Sequence, residues 1–360
     1  PVTARTAGRR KAADVARALG EWLQARPGYE TARVAALVRP AGAGLSNETW
    51  LFEAVRPGQT ESLVLQAGPA GPGLFHAYDL AAMARVQQQL WSIPTVPVAR
   101  VRWFEPDASW LGAPFHVMNR VPGQVPGDNP TYHQGGWFAA LAPAAQASAW
   151  WSGIAALAAL HALDPVATGC AFLEDTPWGM PLTAEPATAR LAQWREFLHW
   201  GARRPLPPIE AALDVLAAHR PAAQPPRIAW GDAKLSNCVI EAGEVRALLD
   251  WELCGLSDPE EDLAFWLLLD WVHWRLPQVP RLGGLPSPAA TAGYYAHCRG
   301  QPNRNVLWWF KFGLVRLAII YHRFIERRID AGRLAADVDQ LAINPVCALL
   351  DETLALEDLP

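Results

Sequence analysis

Three side chains close to residue 240 have the types and the spacing of a site that binds a metal ion and phosphates. Asp232 is followed by Asn237 five residues later and by Asp250 a further thirteen residues on. The runs 238–240 and 245–249 are apolar, and the turn between them contains a glycine, which predicts a β-hairpin. Such a hairpin presents two carboxylates and one amide at the same end. Oxygen ligands in that number, with positions left for phosphates, suit Mg²⁺.

The motifs in this region resemble those of the aminoglycoside-phosphotransferase-like kinases. The chain reads GDAKLSN, then LLDWE, then GLSDPEEDLAFW, where that family has roughly HGDxxxxN, DWE and GDPxxDLA. The pattern also resembles the HxDxxxxN and DFG motifs of protein kinases. The resemblance runs from Val34 to Arg328 and is strongest at 230–264. It implies a nucleotide-dependent kinase.

The resemblance also implies a role for each of these residues. Asp232 would take or orient the proton of the substrate hydroxyl, and Asn237 and Asp250 would hold Mg²⁺ bridging the phosphates of ATP. Lys234 matches a catalytic-loop lysine that touches the transferred phosphate, where a cation stabilises developing charge. Two alternatives stay open: Asp and Asn are common turn formers, and Lys234 could be an exposed loop lysine. Turn formation alone does not explain an aspartate at the end of a strand followed by Trp-Glu.

A glycine-rich segment in the N-terminal part of the chain is a candidate nucleotide loop. It lies between predicted strands at 34–38 and 49–55, which argues against a dinucleotide-binding turn between a strand and a helix. The segment resembles the family's nucleotide loop at Gly42, Gly44, Ser46 and Asn47. An ordinary flexible turn is the alternative. The stretch 94–123 resembles the family's passage into the hinge, which implies that Met118, Asn119 and Arg120 contact adenine.

The N-terminal part departs from the family pattern at one important place. Kinases pair a strand lysine, which touches the α- and β-phosphates, with a glutamate on the next helix. Here Gln66 occupies the lysine position and Met83 the glutamate position. A neutral amide holds phosphate more weakly than a cation does. Two hypotheses follow: an active enzyme that relies on Mg²⁺ and Lys234, or a catalytically impaired pseudokinase that binds a small molecule or a protein. Intact Asp232, Asn237 and Asp250 favour the active enzyme.

Composition excludes several function classes. The chain has 360 residues, of which 51% are hydrophobic and 18% charged, and its formal net charge is −4. This balance offers no electrostatic case for binding nucleic acid or an anionic membrane. No apolar run approaches the length of a membrane span, and we expect a cytoplasmic protein. The five cysteines are scattered and lack metal-ligand spacing, so buried or neutral thiols are expected.

Predicted strands concentrate in the first third of the chain and predicted helices in the remainder. This order favours an α+β, two-lobed, protein-kinase-like fold with a small antiparallel-sheet N-lobe and a larger, mainly helical C-lobe that carries the catalytic β-hairpin. We predict a nucleotide-binding N-lobe at 1–119 and a catalytic and substrate-binding C-lobe at 120–360. Predicted helices of the C-lobe cover 150–163, 183–200, 209–220, 259–274, 288–299, 305–329 and 331–356. His161 is expected to be a helix-end histidine that supports the catalytic loop.

These observations together predict an ATP- and Mg²⁺-dependent phosphotransferase that moves the γ-phosphate to a hydroxyl of a small molecule. Aminoglycosides are polycations and require an acidic binding site. The helical insert 123–223 is rich in Trp, Ala and Pro and contains no dense acidic cluster. We therefore expect an acceptor substrate that is less cationic and more apolar, such as a macrolide-like or acyl-type alcohol.

Overall fold

The computed structural model describes residues 10–40, 46–71 and 73–360. The chain divides into two compact units. The first contains the chain up to Ser92 together with Val98–Pro122, and the second contains Ile93–Pro97 and Gly123–Pro360. The sequence places the boundary after residue 119. The structure places the end of the first unit at Pro122 and assigns the proline-containing segment Ile93–Pro97 to the second unit.

A five-stranded antiparallel sheet forms the first unit, in the order β1-β2-β3-β5-β4. Its elements are α1 (Ala12–Gln24), β1 (Arg33–Val38), β2 (Glu48–Arg56), β3 (Gln59–Ala67), α2 (Leu80–Leu90), β4 (Val101–Glu105) and β5 (Phe115–Asn119). Alternation in β2 places Trp50 and Phe52 on one face, where the apolar side of α1 packs with Trp22. The opposite face of the sheet carries Gln66.

The second unit is mainly helical. Its helices are α3 (Pro143–Ala162), α4 (Pro186–Gly201), α5 (Pro207–Ala218), α6 (Pro259–Arg275), α7 (Pro288–Arg299), α8 (Val306–Asp330) and α9 (Leu350–Leu354). Its strands are β6 (Arg227–Ala229), β7 (Cys238–Glu241), β8 (Glu244–Leu248) and β9 (Gly255–Ser257). α6 packs against α8 through Phe265 and Leu268, which lie next to Gly313, and its Trp266 packs against Trp150 of α3. None of the described helices combines the length and the apolar character that a membrane span requires.

Two expectations about the second unit were incomplete or wrong. The helix predicted at 331–356 is absent apart from α9 and a short 3-10 turn at Cys347–Leu349. Gly332 has a φ of 66° beyond the end of α8, and the Asn344 side chain accepts the Val346 N–H across a proline, so the segment is held in turns. The sequence also did not indicate the pair β6–β9, because three-residue strands carry no measurable periodicity.

Candidate active site

The hairpin β7–β8 brings Asp232 and Asn237 together at one end. Asn237 closes a 3-10 turn, Leu235–Asn237, and its carbonyl accepts the Leu249 N–H at 2.8 Å. Its side-chain Nδ2 donates to the Asp232 backbone carbonyl at 3.0 Å and to Asp232 Oδ2 at 2.8 Å. These two bonds determine which way the amide points. They leave Asn237 Oδ1 as an oxygen donor for another partner.

Asp250 lies two residues beyond the end of β8 and has a φ of 58°. Aspartate is one of the few residues that adopt this left-handed conformation at modest cost. Burial, followed by the nearby charge of Asp232, raises the pKa of Asp250 to about 7. Within the described ranges, no hydrogen-bond donor reaches its carboxylate. A bound cation would reduce the repulsion between Asp250 and Asp232 and would give the Asp250 carboxylate a partner.

The donor set of Asn237 Oδ1 and Asp250 fits a hard divalent cation. Across the described part of the chain, no three His, Cys, Asp or Glu side chains converge as a metal-binding group. A site with one carboxylate and one amide is therefore open, with positions left for phosphate oxygens and water. Mg²⁺ is bound in this way in phosphotransfer sites, by one or two carboxylates together with substrate phosphates.

Lys234 lies among carboxylates. Its Nζ is 3.3 Å from Asp128 Oδ2 and 3.4 Å from Asp232 Oδ2, and its side chain is 17% exposed. Burial alone would lower its pKa, but the nearby carboxylates outweigh that effect and raise the pKa of Lys234 well above its usual range. Lys234 is therefore a charged, largely buried group next to Asp232, unlike an ordinary exposed loop lysine.

Comparisons with known proteins identify the family of this chain. A family model described as APH, phosphotransferase enzyme family, matches residues 37–286, which is more than half of the chain. The chain belongs to the APH phosphotransferase family. A putative aminoglycoside phosphotransferase from Ralstonia eutropha has a similar structure, with a TM-score of 0.66, 24% identity, and coverage of 94% of this chain and 95% of that one.

Two further similarities place the APH-family chain among known proteins. A thermostable variant of the aminoglycoside phosphotransferase APH(4)-Ia, in a ternary complex with AMP-PNP and hygromycin B, has a TM-score of 0.57 at 14% identity, covering 94% of this chain and 99% of that one. Both solved structures support the protein-kinase-like fold. Acyl-CoA dehydrogenase family member 11 of Mus musculus is 26% identical over 92% of this chain, which spans 41% of that protein's length.

A buried aspartate, Asp262, stabilises the loop that leads to Asp232. Asp262, near the start of α6, accepts the N–H groups of Trp230 at 2.7 Å and Gly231 at 2.9 Å. Burial lowers the pKa of His161, so the neutral ring can donate through Nε2 to Asp262 at 3.1 Å. Its Nδ1 lies 2.5 Å from the Tyr295 hydroxyl oxygen, which is also 3.0 Å from the Pro259 carbonyl oxygen. His161 thus supports the loop through Asp262, as the sequence predicted in outline.

A buried arginine that the sequence did not single out reaches the same loop. Arg316 on α8 is 2% exposed, donates to the Gly231 carbonyl and pairs with Glu261 at 3.5 Å. Gly231 has a φ of 89°, and a Cβ at that position would lie 2.1 Å from the Leu253 carbonyl oxygen. Only glycine fits there. Arg316 is one of four arginines in α8, and nothing in the sequence distinguishes it from the other three.

Trp230 replaces the histidine of the family motif and is fully buried. Its Nε1 donates to the Leu249 carbonyl at 2.7 Å, immediately before Asp250. The indole is therefore packed in the core and also hydrogen-bonded to the backbone directly before Asp250.

The nucleotide-binding predictions fall on the first unit. Gly42 and Gly44 lie outside the described residues. Ser46 and Asn47 are buried where β2 begins, next to an ion pair between Arg39 and Glu48 at 3.0 Å. This pair joins the two strands on either side of the glycine-rich segment.

Gln66 and Met83 are both buried, at 7% and 1% exposure. Gln66 lies opposite Thr49 on β2 and His116 on β5 in the sheet register. Asn47 Nδ2 is 3.9 Å from Met83 Sδ. A methionine in this position packs in the apolar interior and cannot form an ion pair. The structure therefore places the departure from the family pattern in a buried, uncharged environment.

Backbone hydrogen bonds limit how the predicted hinge could read a base. The Asn119 N–H donates to the Arg100 carbonyl at 2.9 Å, and the Arg120 N–H donates to the Ser62 carbonyl at 3.0 Å. Met118 lies within β5 opposite Val64. The backbone N–H groups of Asn119 and Arg120 are thus already bonded within the protein. A contact of these residues with a base would have to use their carbonyl groups or side chains.

His116 leads to a prediction about pH dependence. The ring is fully buried, and neither nitrogen has a hydrogen-bond partner among the described residues, so burial lowers its pKa to about 4. As pH falls below about 6.5, the unfolded chain takes up a proton that the folded protein refuses. The free energy of unfolding should therefore fall by about 3 kcal/mol between pH 7 and pH 4 through this group.

The variant His116→Leu should lose this component and be more stable than the wild type at pH 4.5. Urea unfolding at pH 7.5 and pH 4.5 measures the effect, with His297→Leu as a control because His297 is exposed. Equal pH dependence in wild type and His116→Leu would contradict the prediction.

Proposed function

We propose that this chain is an ATP- and Mg²⁺-dependent phosphotransferase that moves the γ-phosphate to a hydroxyl of a small molecule. The observation that carries the proposal is the convergence of Asp232, Lys234, Asn237 and Asp250 at one end of a hairpin. A binding module would have no need for a base, a cation and two metal-binding oxygens in one place. Membership of a phosphotransferase family supports the same reaction type.

The residues divide the work in a simple way. Asp232 Oδ2 is held by Asn237 and Lys234, and no described residue donates to Oδ1, which is free to accept the proton of the substrate hydroxyl. Lys234 would hold an oxygen of the phosphoryl group as its charge develops. Asn237 and Asp250 would hold Mg²⁺, which neutralises phosphate charge when bound. The predicted nucleotide contacts are Gly42, Gly44, Ser46, Asn47, Gln66, Met118, Asn119 and Arg120.

The acceptor substrate is proposed to be less cationic and more apolar than an aminoglycoside. Asp128, the carboxylate nearest to Lys234 outside the catalytic motif, is already bonded to Lys234, Ser236 and His273, so it offers little charge to a polycation. The two candidate classes are an acyl-type alcohol and a macrolide-like alcohol. Similarity to acyl-CoA dehydrogenase family member 11 favours the acyl-type alcohol. A cytoplasmic location remains a prediction.

The alternative function is a pseudokinase that binds a small molecule or a protein. Buried Gln66 and Met83 in place of the Lys–Glu pair are the observations that favour it. The two functions differ in two measurable properties. These are whether ATP with Mg²⁺ stabilises the folded chain and whether the chain hydrolyses ATP.

Asp232→Asn separates nucleotide binding from chemistry. A ligand that binds only the folded state stabilises it by about 2.7 kcal/mol at 100 times its Kd. ATP with Mg²⁺ should raise the melting temperature of both wild type and Asp232→Asn. Hydrolysis of ATP, with water as the acceptor substrate, should fall roughly 100- to 10,000-fold in the variant because the base is lost.

The control for this comparison is Asp337→Asn, since Asp337 is exposed and lies outside the motif. No shift and no hydrolysis in the wild type would contradict the enzyme and favour the binding module. Unchanged hydrolysis in Asp232→Asn would contradict the role of Asp232.

A further inference from the structure

Asp128 is a carboxylate that neither the motif nor the family resemblance assigns. It lies on the loop before α3, more than 100 residues from the catalytic loop in sequence. Its Oδ2 is 3.3 Å from Lys234 Nζ, and its Oδ1 accepts the Ser236 hydroxyl at 2.8 Å. His273 Nε2 on α6 is 3.1 Å from the same Oδ1. Both carboxylate oxygens of Asp128 are therefore engaged, and two of its partners lie on the catalytic loop.

The loop that carries Asp128 is fastened to α6. Tyr132 donates from its hydroxyl to Asp270 Oδ1 at 2.8 Å. His133 Nδ1 accepts the Leu282 N–H at 3.2 Å, so its Nε2–H is the group that donates to Asp270 at 3.0 Å. Arg281 binds the other oxygen of Asp270 at 2.7 Å. Asp270 is 4% exposed, and this buried network gives the loop a rigid base from which to present Asp128.

A second bond to α6 lies directly beside Asp128. The Thr131 hydroxyl donates to the His273 carbonyl at 2.9 Å, so the loop and the histidine that contacts Asp128 are joined through both side chain and backbone. Burial would raise the pKa of Asp128, but Lys234 and His273 hold it well below its usual range, and the group stays ionised. An ionised carboxylate therefore contacts the Lys234 ammonium in addition to Asp232.

We propose that Asp128 is a positioning residue that holds the Lys234 ammonium beside Asp232 for phosphoryl transfer. The inference rests on the proposed function for its use in catalysis, but not for the contact itself. Lysine has a long, flexible stem and three N–H donors on its ammonium group. One of them is donated to Asp128 Oδ2 at 3.3 Å, and the ammonium also forms an ion pair with Asp232 Oδ2 at 3.4 Å, which leaves N–H capacity for a phosphoryl oxygen.

The arrangement has a clear chemical advantage. A lysine paired with Asp232 alone would partly neutralise the charge of the base, and the phosphate would draw its ammonium away from Asp232. Sharing the ammonium with Asp128 keeps its position fixed and reduces its demand on Asp232. Substitution of a residue that orients a catalytic side chain commonly lowers activity, although the residue takes no part in the chemical step.

The first test is kinetic and uses ATP hydrolysis with water as the acceptor substrate. Asp128→Asn, which keeps the shape and removes the charge, should lower kcat roughly 10- to 100-fold, with a KM for ATP within about twofold of wild type. Asp128→Glu should recover part of the loss, and Asp337→Asn should behave as wild type. A kcat for Asp128→Asn equal to that of the control would overturn the proposal.

A double-mutant cycle tests whether Asp128 acts through Lys234. If it does, Asp128→Asn combined with Lys234→Met should be no slower than Lys234→Met alone, because the same interaction has already been removed. Additive losses would mean that Asp128 acts on something other than Lys234 and would count against the proposal.

The second measurement needs no catalysis. The chain contains three lysines, Lys11, Lys234 and Lys311, so lysine labelled with ¹³C at Cε during expression gives three signals without altering the ammonium, and Lys234→Met identifies the relevant one. In wild type the Lys234 signal should be broader than that of exposed Lys11, and in Asp128→Asn it should narrow towards it. An unchanged Lys234 signal would overturn the proposal, whereas absent ATP hydrolysis in the wild type would contradict only the proposed function.

Discussion

Asp250→Asn is expected to stabilise the ligand-free protein and at the same time remove most of its stabilisation by ATP and Mg²⁺. The carboxylate of Asp250 is forced to ionise in a partly buried position close to Asp232, and the pKa of about 7 reports the unfavourable cost of that charge. Asparagine keeps the size and tolerates the φ of 58°, so the backbone need not change. It removes the charge that both repels Asp232 and attracts the metal ion.

The sign of the pH dependence follows from the raised pKa. A carboxyl group that holds its proton more tightly in the folded protein favours folding at low pH, and this advantage is lost as pH rises from about 4 to about 7. Three pKa units would correspond to about 4 kcal/mol at most, and we expect about 1–3 kcal/mol, since the amide also loses solvent contact. Asp250→Asn should therefore exceed wild type in stability at pH 8 and approach it at pH 4.5.

Melting temperatures at these two pH values, with and without ATP and Mg²⁺, measure both effects. Asp337→Asn serves as the matched control, because it removes an exposed aspartate of the same unit. A full ligand-induced shift in Asp250→Asn would show that the metal ion is held elsewhere. A ligand-free variant less stable than wild type at pH 8 would contradict the electrostatic account of Asp250.

The second large effect is expected from Asp262→Ala. This side chain is fully buried and is shared by the N–H groups of Trp230 and Gly231 and by the His161 ring. Truncation leaves the buried N–H groups of Trp230 and Gly231, and the His161 ring, without their acceptor. Breaking a buried charged network of this kind costs about 3–5 kcal/mol. The catalytic loop should lose its geometry, so ATP hydrolysis should fall along with stability.

Urea unfolding at pH 7 tests this, with Asp351→Ala as the control because Asp351 is also in the first turn of a helix but is exposed. Asp262→Asn should be intermediate, since its amide oxygen can still accept one of the two N–H groups. The account of Asp262 would be wrong if its alanine variant unfolded within about 1 kcal/mol of the Asp351→Ala control, the range usual for surface changes.

The hairpin β7–β8 could be predicted because it is local, whereas the chemical roles of its residues stay predictions. Asp232, Asn237 and Asp250 lie within nineteen residues, and the turn and apolar runs between them set their relative positions with few long-range contacts. The strands of the first unit were likewise readable, since alternation of apolar residues in β2 reflects a sheet with one buried face. The family motifs rest on the same short-range spacing.

The contacts of Lys234 and Gly231 with distant residues could not be predicted, because no local sequence pattern indicates them. Asp128 meets Lys234 across 106 residues, and Arg316 reaches Gly231 across 85. The predicted helix at 331–356 failed because a glycine, a proline and the Asn344 turn overrode local helix propensity.

The amino-acid sequence by itself determined the family, the α+β class and the local order of Asp232, Asn237 and Asp250 around one hairpin, because each depends on periodicity or on spacing within one supersecondary unit. The tertiary structure alone decided which charges surround Lys234, what holds Gly231 in its left-handed conformation and how deeply His116 is buried. Those properties are set by desolvation and by pairing between distant segments, and the free energies involved exist only after the chain has packed.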